Sequence, residues 1–264
     1  MDLRTALLQG QRLLEQGGID VPRLTAEVLL AHAVGQDRVW LFAHATDELK
    51  EVWWIHYGRY LHQRLEGRPT QYITGRQEFY GREFRVTRDV LIPRPETELL
   101  VEAVLAHVRP SMRVLDIGTG SGCIAVTVAA ESSARVFASD ISTEALRIAR
   151  RNGAIDLVQC DLGAAFADRS FDVVVSNPPY VPSGDTLAPE VRDHEPAQAL
   201  FSGAEGLDAI RRLIPEARRL LRPSGLLAFE FGYGQSAAIR ALLPAATITP
   251  DLAGIDRLAL WRCD

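Results

Sequence analysis

From residue 95 onward, short apolar runs alternate with amphipathic stretches, and this rhythm constrains the fold more than any other feature of the chain. A helical pattern over 97–108 leads to an apolar run at Arg113–Ile117. Helix (122–131), strand (135–139), helix (143–152) and strand (155–160) follow. A strand at Phe171–Ser176, a helix near 207–221 and a strand at 225–231 complete the pattern. Strands that alternate with helices at this spacing form a parallel sheet covered on both faces, an α/β fold. In such sheets ligands sit beyond the carboxyl ends of the strands.

Residues 1–66 read differently, as helix after helix. Leu3, Leu7 and Leu14 recur at helical spacing until Gly17-Gly18. Pro22 opens a second helix, with Ala26, Leu29, Leu30 and Ala33 apolar, and Gly35 ends it. Asp37 caps a short third helix through Trp40 and Leu41. Thr46 is the expected cap of a long fourth helix, in which Leu49, Val52, Trp53, Tyr57, Tyr60, Leu61 and Leu65 form one stripe. Trp40, Trp53 and Trp54 suit core packing at this spacing better than base stacking. This small helical domain carries no catalytic motif, so its expected task is substrate recognition. Gly67-Arg68-Pro69 breaks the pattern, and Phe79-Tyr80-Gly81 with Phe84-Arg85-Val86 suggests a short hairpin. The linker is therefore expected over 67–92, leaving 93–264 for the sheet domain.

Composition removes several classes. The chain has 264 residues, 47% apolar and 24% charged, with a net charge of −5, which excludes disorder and fibrous repeats. No run approaches the ~18 consecutive apolar residues of a spanning helix. Met1-Asp2-Leu3-Arg4 lacks the pattern of a secretory leader, so a cytoplasmic protein with no membrane partner is expected. Three scattered cysteines, Cys123, Cys160 and Cys263, form no metal-type pair, and six histidines form no HxxxH or HxH pair, so no metal site is expected. The acidic balance argues against long nucleic acid as a direct partner.

Two motifs fall at strand ends. Gly118-Thr119-Gly120-Ser121-Gly122 joins the first strand to the next helix. Glycines there let the backbone turn sharply and approach a ligand. The spacing is GxGxG and not the GxGxxG favoured for dinucleotides, and no Walker lysine follows. Asp140 ends the second strand, about 20 residues on, where a carboxylate can hold ribose hydroxyls. Asp116, Asp140 and Asp161 at three strand ends fit a nucleoside better than helix caps alone.

The second motif, Asn177-Pro178-Pro179-Tyr180, follows the fourth strand directly. Only two asparagines occur in the chain, Asn152 and Asn177. The Asn177 side-chain carbonyl and the Pro178 carbonyl both accept hydrogen bonds. Pro179 stiffens the pair. Two rigid acceptors can grip both hydrogens of a planar amino group, and Tyr180 can offer a face to it. The substrate group is an amide or an exocyclic base amine.

These residues resemble the S-adenosylmethionine-dependent amino-methyltransferases. Further runs resemble one branch, the HemK-type (PrmC) release factor glutamine methyltransferases: Glu78-Phe79-Tyr80-Gly81, Leu91-Ile92-Pro93-Arg94-Pro95-Glu96-Thr97-Glu98, Asp116–Val126, Pro189-Glu190-Val191-Arg192, Glu195-Pro196, Gly203 with Gly206-Leu207, and Asp251–Arg257. The likeness spans roughly 20–264. It implies a small helical domain followed by a seven-stranded Rossmann-like methyltransferase domain with an antiparallel last strand. It implies that Gly118, Thr119, Gly120, Ser121, Gly122 and Asp140 bind S-adenosylmethionine, with Asp161 and Leu162 near the adenine and Asn177 also against the cofactor. Leu162 stands where the family often has an aromatic ring, and Arg151–Ile155 is shorter than usual. It implies that Asn177, Pro178, Pro179 and Tyr180 hold the glutamine of a Gly-Gly-Gln tripeptide in a peptide chain release factor, with Asn177 and Pro178 the catalytic pair and S-adenosylhomocysteine the product. The rival reading is an amino-methyltransferase acting on adenine N6 or guanine N2. A nicotinamide dehydrogenase would leave the Asn-Pro-Pro-Tyr tetrad unexplained, and a non-catalytic binding module would not need it.

Overall fold

The Asp2 carboxylate accepts the Thr5 N–H at 2.7 Å and so starts helix α1, Leu3–Gln16. In this computed structural model, which describes residues 1–263, Pro22 is the first residue of α2, Pro22–Val34, and Gly35 ends it at φ 75°. Asp37 accepts the Trp40 N–H at 2.7 Å and caps α3, Arg38–Ala43. The fourth helix, α4, runs Glu51–Leu65 and does not start after Thr46. The cause is the chain's own start. Leu49 N–H bonds to the Met1 carbonyl at 2.9 Å and Leu3 N–H to that of Asp47 at 3.1 Å, which holds 47–49 extended. Of the expected stripe, Tyr57 and Leu61 are buried, while Val52 and Leu65 are exposed.

A short helix, α5 (Thr70–Thr74), occupies part of the stretch read as linker. The helical unit comprises 1–76 together with 187–194, an excursion from the sheet domain. Its core gathers Leu3, Leu14, Ala26, Leu29, Leu30 and Tyr57, with Trp40 and Trp53 packed at the edge. Within this unit the buried Arg64 pairs with Glu190 of the excursion.

Among the described residues the second unit comprises 77–186 and 195–263. It takes in the hairpin of β1 (Arg76–Phe79) and β2 (Arg82–Arg85), then α6 (Glu96–Leu105) and β3 (Arg113–Ile117). Next come α7 (Cys123–Glu131), β4 (Arg135–Asp140), α8 (Thr143–Asn152), β5 (Asp156–Gln159) and β6 (Phe171–Ser176). After β6 the chain makes α9 (Pro189–His194), which belongs to the helical unit, and α10 (Ala197–Leu200). Then follow α11 (Asp208–Leu220), β7 (Leu221–Glu230), α12 (Ser236–Leu242), β8 (Thr247–Pro250) and β9 (Asp256–Arg262).

The seven-stranded sheet has the order β5-β4-β3-β6-β7-β9-β8, and β9 runs antiparallel to both its neighbours. Both faces are buried, which is why the strands read as continuous apolar runs. Along β7, Leu226 and Ala228 face one core with α6 and α7, and Leu227 and Phe229 face the other with α11 and α12. The hairpin closes the first of these cores through Phe79 and Phe84.

Two neighbours in the helical unit give a test. A Cβ on Gly10 would lie 1.9 Å from the Tyr57 hydroxyl oxygen, and that hydroxyl is buried without a partner. Gly10→Ala is expected to destabilise the protein by about 2 kcal/mol through overpacking. Tyr57→Phe is expected to stabilise it by about 1 kcal/mol, because it removes an unsatisfied polar group. Thermal denaturation of both variants checks the pair, and a Tyr57→Phe protein that melts lower would mean the hydroxyl has a partner.

Candidate functional site

Successive strands run outward in opposite directions from β3 and β6, which lie side by side in the sheet. The loops leaving two such strands diverge and open a crevice. A cavity of about 350 Å³ lies there, lined from the loop after β3, the loop after β6 and the run 89–97. The Ser176 hydroxyl at the end of β6 donates to the Ile117 carbonyl at the end of β3 at 2.7 Å, fixing the two loop bases together.

Gly118, Thr119, Gly120 and Ser121 line this cavity. Gly118 and Gly120 sit at φ 72° and 56°, the left-handed region that glycine tolerates. Gly122 is not in the lining. A Cβ there would meet the Ala149 Cβ at 3.1 Å, so this glycine lets α7 pack on α8. The loop is held from below and from the side. Asp116, fully buried, accepts the Thr119 hydroxyl at 2.6 Å, while its other oxygen has no partner. Burial, with Asp140 nearby, pushes this carboxyl up to about 7. Asp140 accepts the Gly120 N–H at 2.9 Å with one oxygen and the Ser142 N–H at 2.9 Å with the other, and burial raises its pKa too. Asn152 donates to the Ser121 carbonyl at 2.8 Å and exchanges two hydrogen bonds with the backbone of Arg85, which ties hairpin and loop together.

Asp161 and Leu162 also line the cavity. Asp161 is half exposed and pairs with Arg212 at 2.5 Å. Leu162 sits at φ 52° and its carbonyl accepts the Ser139 hydroxyl at 2.7 Å. Its side chain contributes apolar wall.

Asn177, Pro178 and Pro179 line the cavity on the other side. Tyr180 does not, and offers no face to it. Its ring packs against the α11 core, and its hydroxyl donates to Glu230 at 2.8 Å. Its carbonyl accepts the Gln235 amide at 3.0 Å, and a Cβ on Gly206 would meet that carbonyl at 2.1 Å. Tyr180 therefore anchors the tetrad. The Asn177 amide nitrogen donates to the Thr97 hydroxyl at 3.0 Å, and that hydroxyl donates to Glu230 at 2.8 Å. Burial raises the Glu230 carboxyl, against the pull of these two hydroxyls. Pro93 and Arg94 complete this wall, held by Glu195, which accepts the Ile92 N–H at 3.1 Å and pairs with Arg94 at 2.5 Å.

Sequence reasoning missed Glu230 and Gln235 and the roles of Glu195 and Asn152. Glu230 had a signal: it is the single acid in the otherwise apolar run Gly225–Phe231. Among the described residues no group of His, Cys, Asp and Glu could hold a metal ion, and no helix is long and apolar enough to cross a membrane.

Solved structures share the fold of the sheet domain. A methyltransferase from Pyrococcus furiosus, 18% identical, covers 70% of this chain and 90% of its own at a TM-score of 0.52. The 16S rRNA N2 G1207 methyltransferase of Thermus thermophilus, solved with AdoMet and guanosine and 16% identical, covers 72% and 50% at 0.52. Sheet order, antiparallel last strand and glycine loop define a methyltransferase of the Rossmann-like class. Residues 95–193 match the methyltransferase small domain, and residues 5–75 match the PrmC N-terminal domain. A release factor glutamine methyltransferase from Koribacter versatilis is 42% identical over 276 residues, 99% of each chain. The chain belongs to the release factor glutamine methyltransferase family. A domain of this kind uses a methyl donor of the S-adenosylmethionine type.

The buried Asp116 makes a pH prediction. Its folded pKa lies above the unfolded value of 3.8, so the native state binds its proton more tightly and stability falls as pH rises from about 4 to about 7. Asp116→Asn cannot ionise. Its loss of stability between pH 5 and pH 8 is expected to be smaller than the wild type's by about 2 kcal/mol. Equal losses in urea titrations at the two pH values would show that Asp116 is not protonated in the fold.

Proposed function

We propose that the protein transfers a methyl group from S-adenosylmethionine to the side-chain amide nitrogen, N5, of the glutamine in the Gly-Gly-Gln motif of peptide chain release factors, leaving S-adenosylhomocysteine. The observation that carries this reading is one cavity lined both by Gly118–Ser121 of the glycine loop and by Asn177, Pro178 and Pro179 of the tetrad. Family membership supports the choice of an amide over a base amine.

The residues present suit the cofactor. Asp140 offers carboxylate lone pairs beyond those its two backbone donors use, and Leu162 and Leu213 supply apolar wall for a base. The cofactor supplies a methyl group on a sulfonium, already activated for displacement. The rest falls to this chain. An amide nitrogen attacks poorly because its lone pair is delocalised into the carbonyl. Asn177 Oδ1 and the Pro178 carbonyl accept its two N–H hydrogens and aim the nitrogen along the line of attack. The gain is positioning and electrostatics, with no strong base in the tetrad. The extra proton leaves to water after transfer.

Asn177→Ala removes one of the two acceptors. Turnover is expected to fall ~10²–10³-fold, by analogy with loss of one oxyanion-hole donor, while cofactor affinity stays within about threefold. Labelled S-adenosylmethionine with release factor, tRNA, rRNA and DNA in parallel reads both the loss and the substrate class. Label in nucleic acid alone would replace this function with the base-amine reading.

Recognition of the whole factor falls to the helical unit in this account, because a small amide pocket cannot choose one glutamine among many. On that unit α3 and α4 leave Val39, Phe42, Val52 and Ile55 exposed. Phe42→Asp with Ile55→Asp is expected to raise the KM for intact release factor roughly tenfold, the loss from removing about 1.4 kcal/mol of contact. The KM for a short Gly-Gly-Gln peptide should not move. Equal effects on both substrates would assign these side chains to stability alone.

A further inference from the structure

We infer that Glu230, acting through the Thr97 hydroxyl, is the positioning residue that decides which way the Asn177 amide faces. The inference rests on the proposed role of Asn177 and extends it to residues outside the tetrad.

Proton counting carries the argument. Glu230 closes β7 and is 1% exposed. Its Oε2 lies 2.8 Å from the Thr97 hydroxyl and its Oε1 lies 2.8 Å from the Tyr180 hydroxyl. In its ionised form Glu230 can only accept, so each hydroxyl then spends its one proton on it. Thr97 Oγ1 then has only lone pairs left for its third neighbour, the Asn177 amide at 3.0 Å. Asn177 must therefore present Nδ2 to Thr97. Its Oδ1 is turned away, and among the described residues no donor meets it.

The flipped amide would set Oδ1 against the Thr97 oxygen, two acceptors at hydrogen-bond distance with no proton between them. The buried charge thus writes a direction into the relay, carboxylate to hydroxyl to amide. An acceptor is left at the cavity wall, where a substrate N–H can use it. The same carboxylate holds Tyr180, so one side chain sets both ends of the tetrad. Without Glu230, the Thr97 proton would be free to bond Asn177 Oδ1. That would remove the acceptor and present a donor in its place.

The chain contains two asparagines, which makes the amide directly observable. Full-length protein carrying isotopically labelled asparagine gives two side-chain NH₂ signals, assigned by loss of one in Asn152→Asp. The Asn177 signal is expected to shift and to lose its protection from exchange in Thr97→Val and in Glu230→Met. It should stay in Thr97→Ser, which keeps the hydroxyl, and in Tyr180→Phe, which leaves the relay intact. Turnover in Thr97→Val should fall roughly tenfold or more, with the dissociation constant for S-adenosylmethionine unchanged, and Thr97→Ser should recover most of it. Should Glu230→Met fail to fold, the Val and Ser variants at position 97 still decide. An Asn177 signal unchanged in Thr97→Val overturns the relay. A signal that moves while turnover holds leaves the relay standing and overturns the catalytic reading of Asn177, which Asn177→Ala tests on its own.

Discussion

A parallel sheet buried on both faces has no room for polar side chains except near its strand ends, and there every buried charge must find donors. That constraint organises this protein. Asp116, Asp140 and Glu230 all sit at the carboxyl edge, and each is raised in pKa by burial. Each is met by short, specific donors: a threonine hydroxyl for one oxygen of Asp116, two backbone N–H groups for Asp140, two hydroxyls for Glu230. Satisfying the carboxylates fixes the loops beside them. The glycine loop hangs from Asp116 and Asp140, and the tetrad hangs from Glu230. An unmet carboxylate at this depth would cost far more than any of these loops loses by being held.

The result is a cavity whose walls are held by hydrogen bonds made within the protein. Catalysis by positioning requires that, because an acceptor free to rotate repays its ordering entropy at the moment of reaction. The supports lie one layer out. Ser176 bonds across to Ile117, Gln235 to the Tyr180 carbonyl, and Glu195 to the Ile92–Arg94 run. Asn152 performs the same service for the glycine loop from the side of the hairpin. Both asparagines of the chain thus use their amides to join segments distant in sequence, and neither is a turn former alone.

The helical unit follows a different logic. Its first three helices begin or end on local devices: Asp2, Pro22 with Gly35, and Asp37. Its core is filled around Tyr57, against which Gly10 must stay small. It also claims 187–194 from the other unit's chain, fastened by Arg64 and Glu190.

What the sequence determined by itself was whatever depends on neighbours a few residues apart. The alternation of strands and helices, the caps at Asp37 and Pro22, and the glycine loop with its tetrad at strand ends were all legible. So was the pattern that placed the chain in its family. Tertiary structure decided what depends on partners brought from far along the chain. Thr46 starts no helix because the chain's first residues hold 47–49 extended. Gly122 serves helix packing and Tyr180 serves anchoring because Ala149 and Glu230 stand beside them. Glu230 meets Thr97 across 133 residues and Thr97 meets Asn177 across 80. The direction of a hydrogen bond depends on which partner has already spent its proton, and no local pattern of residues records that.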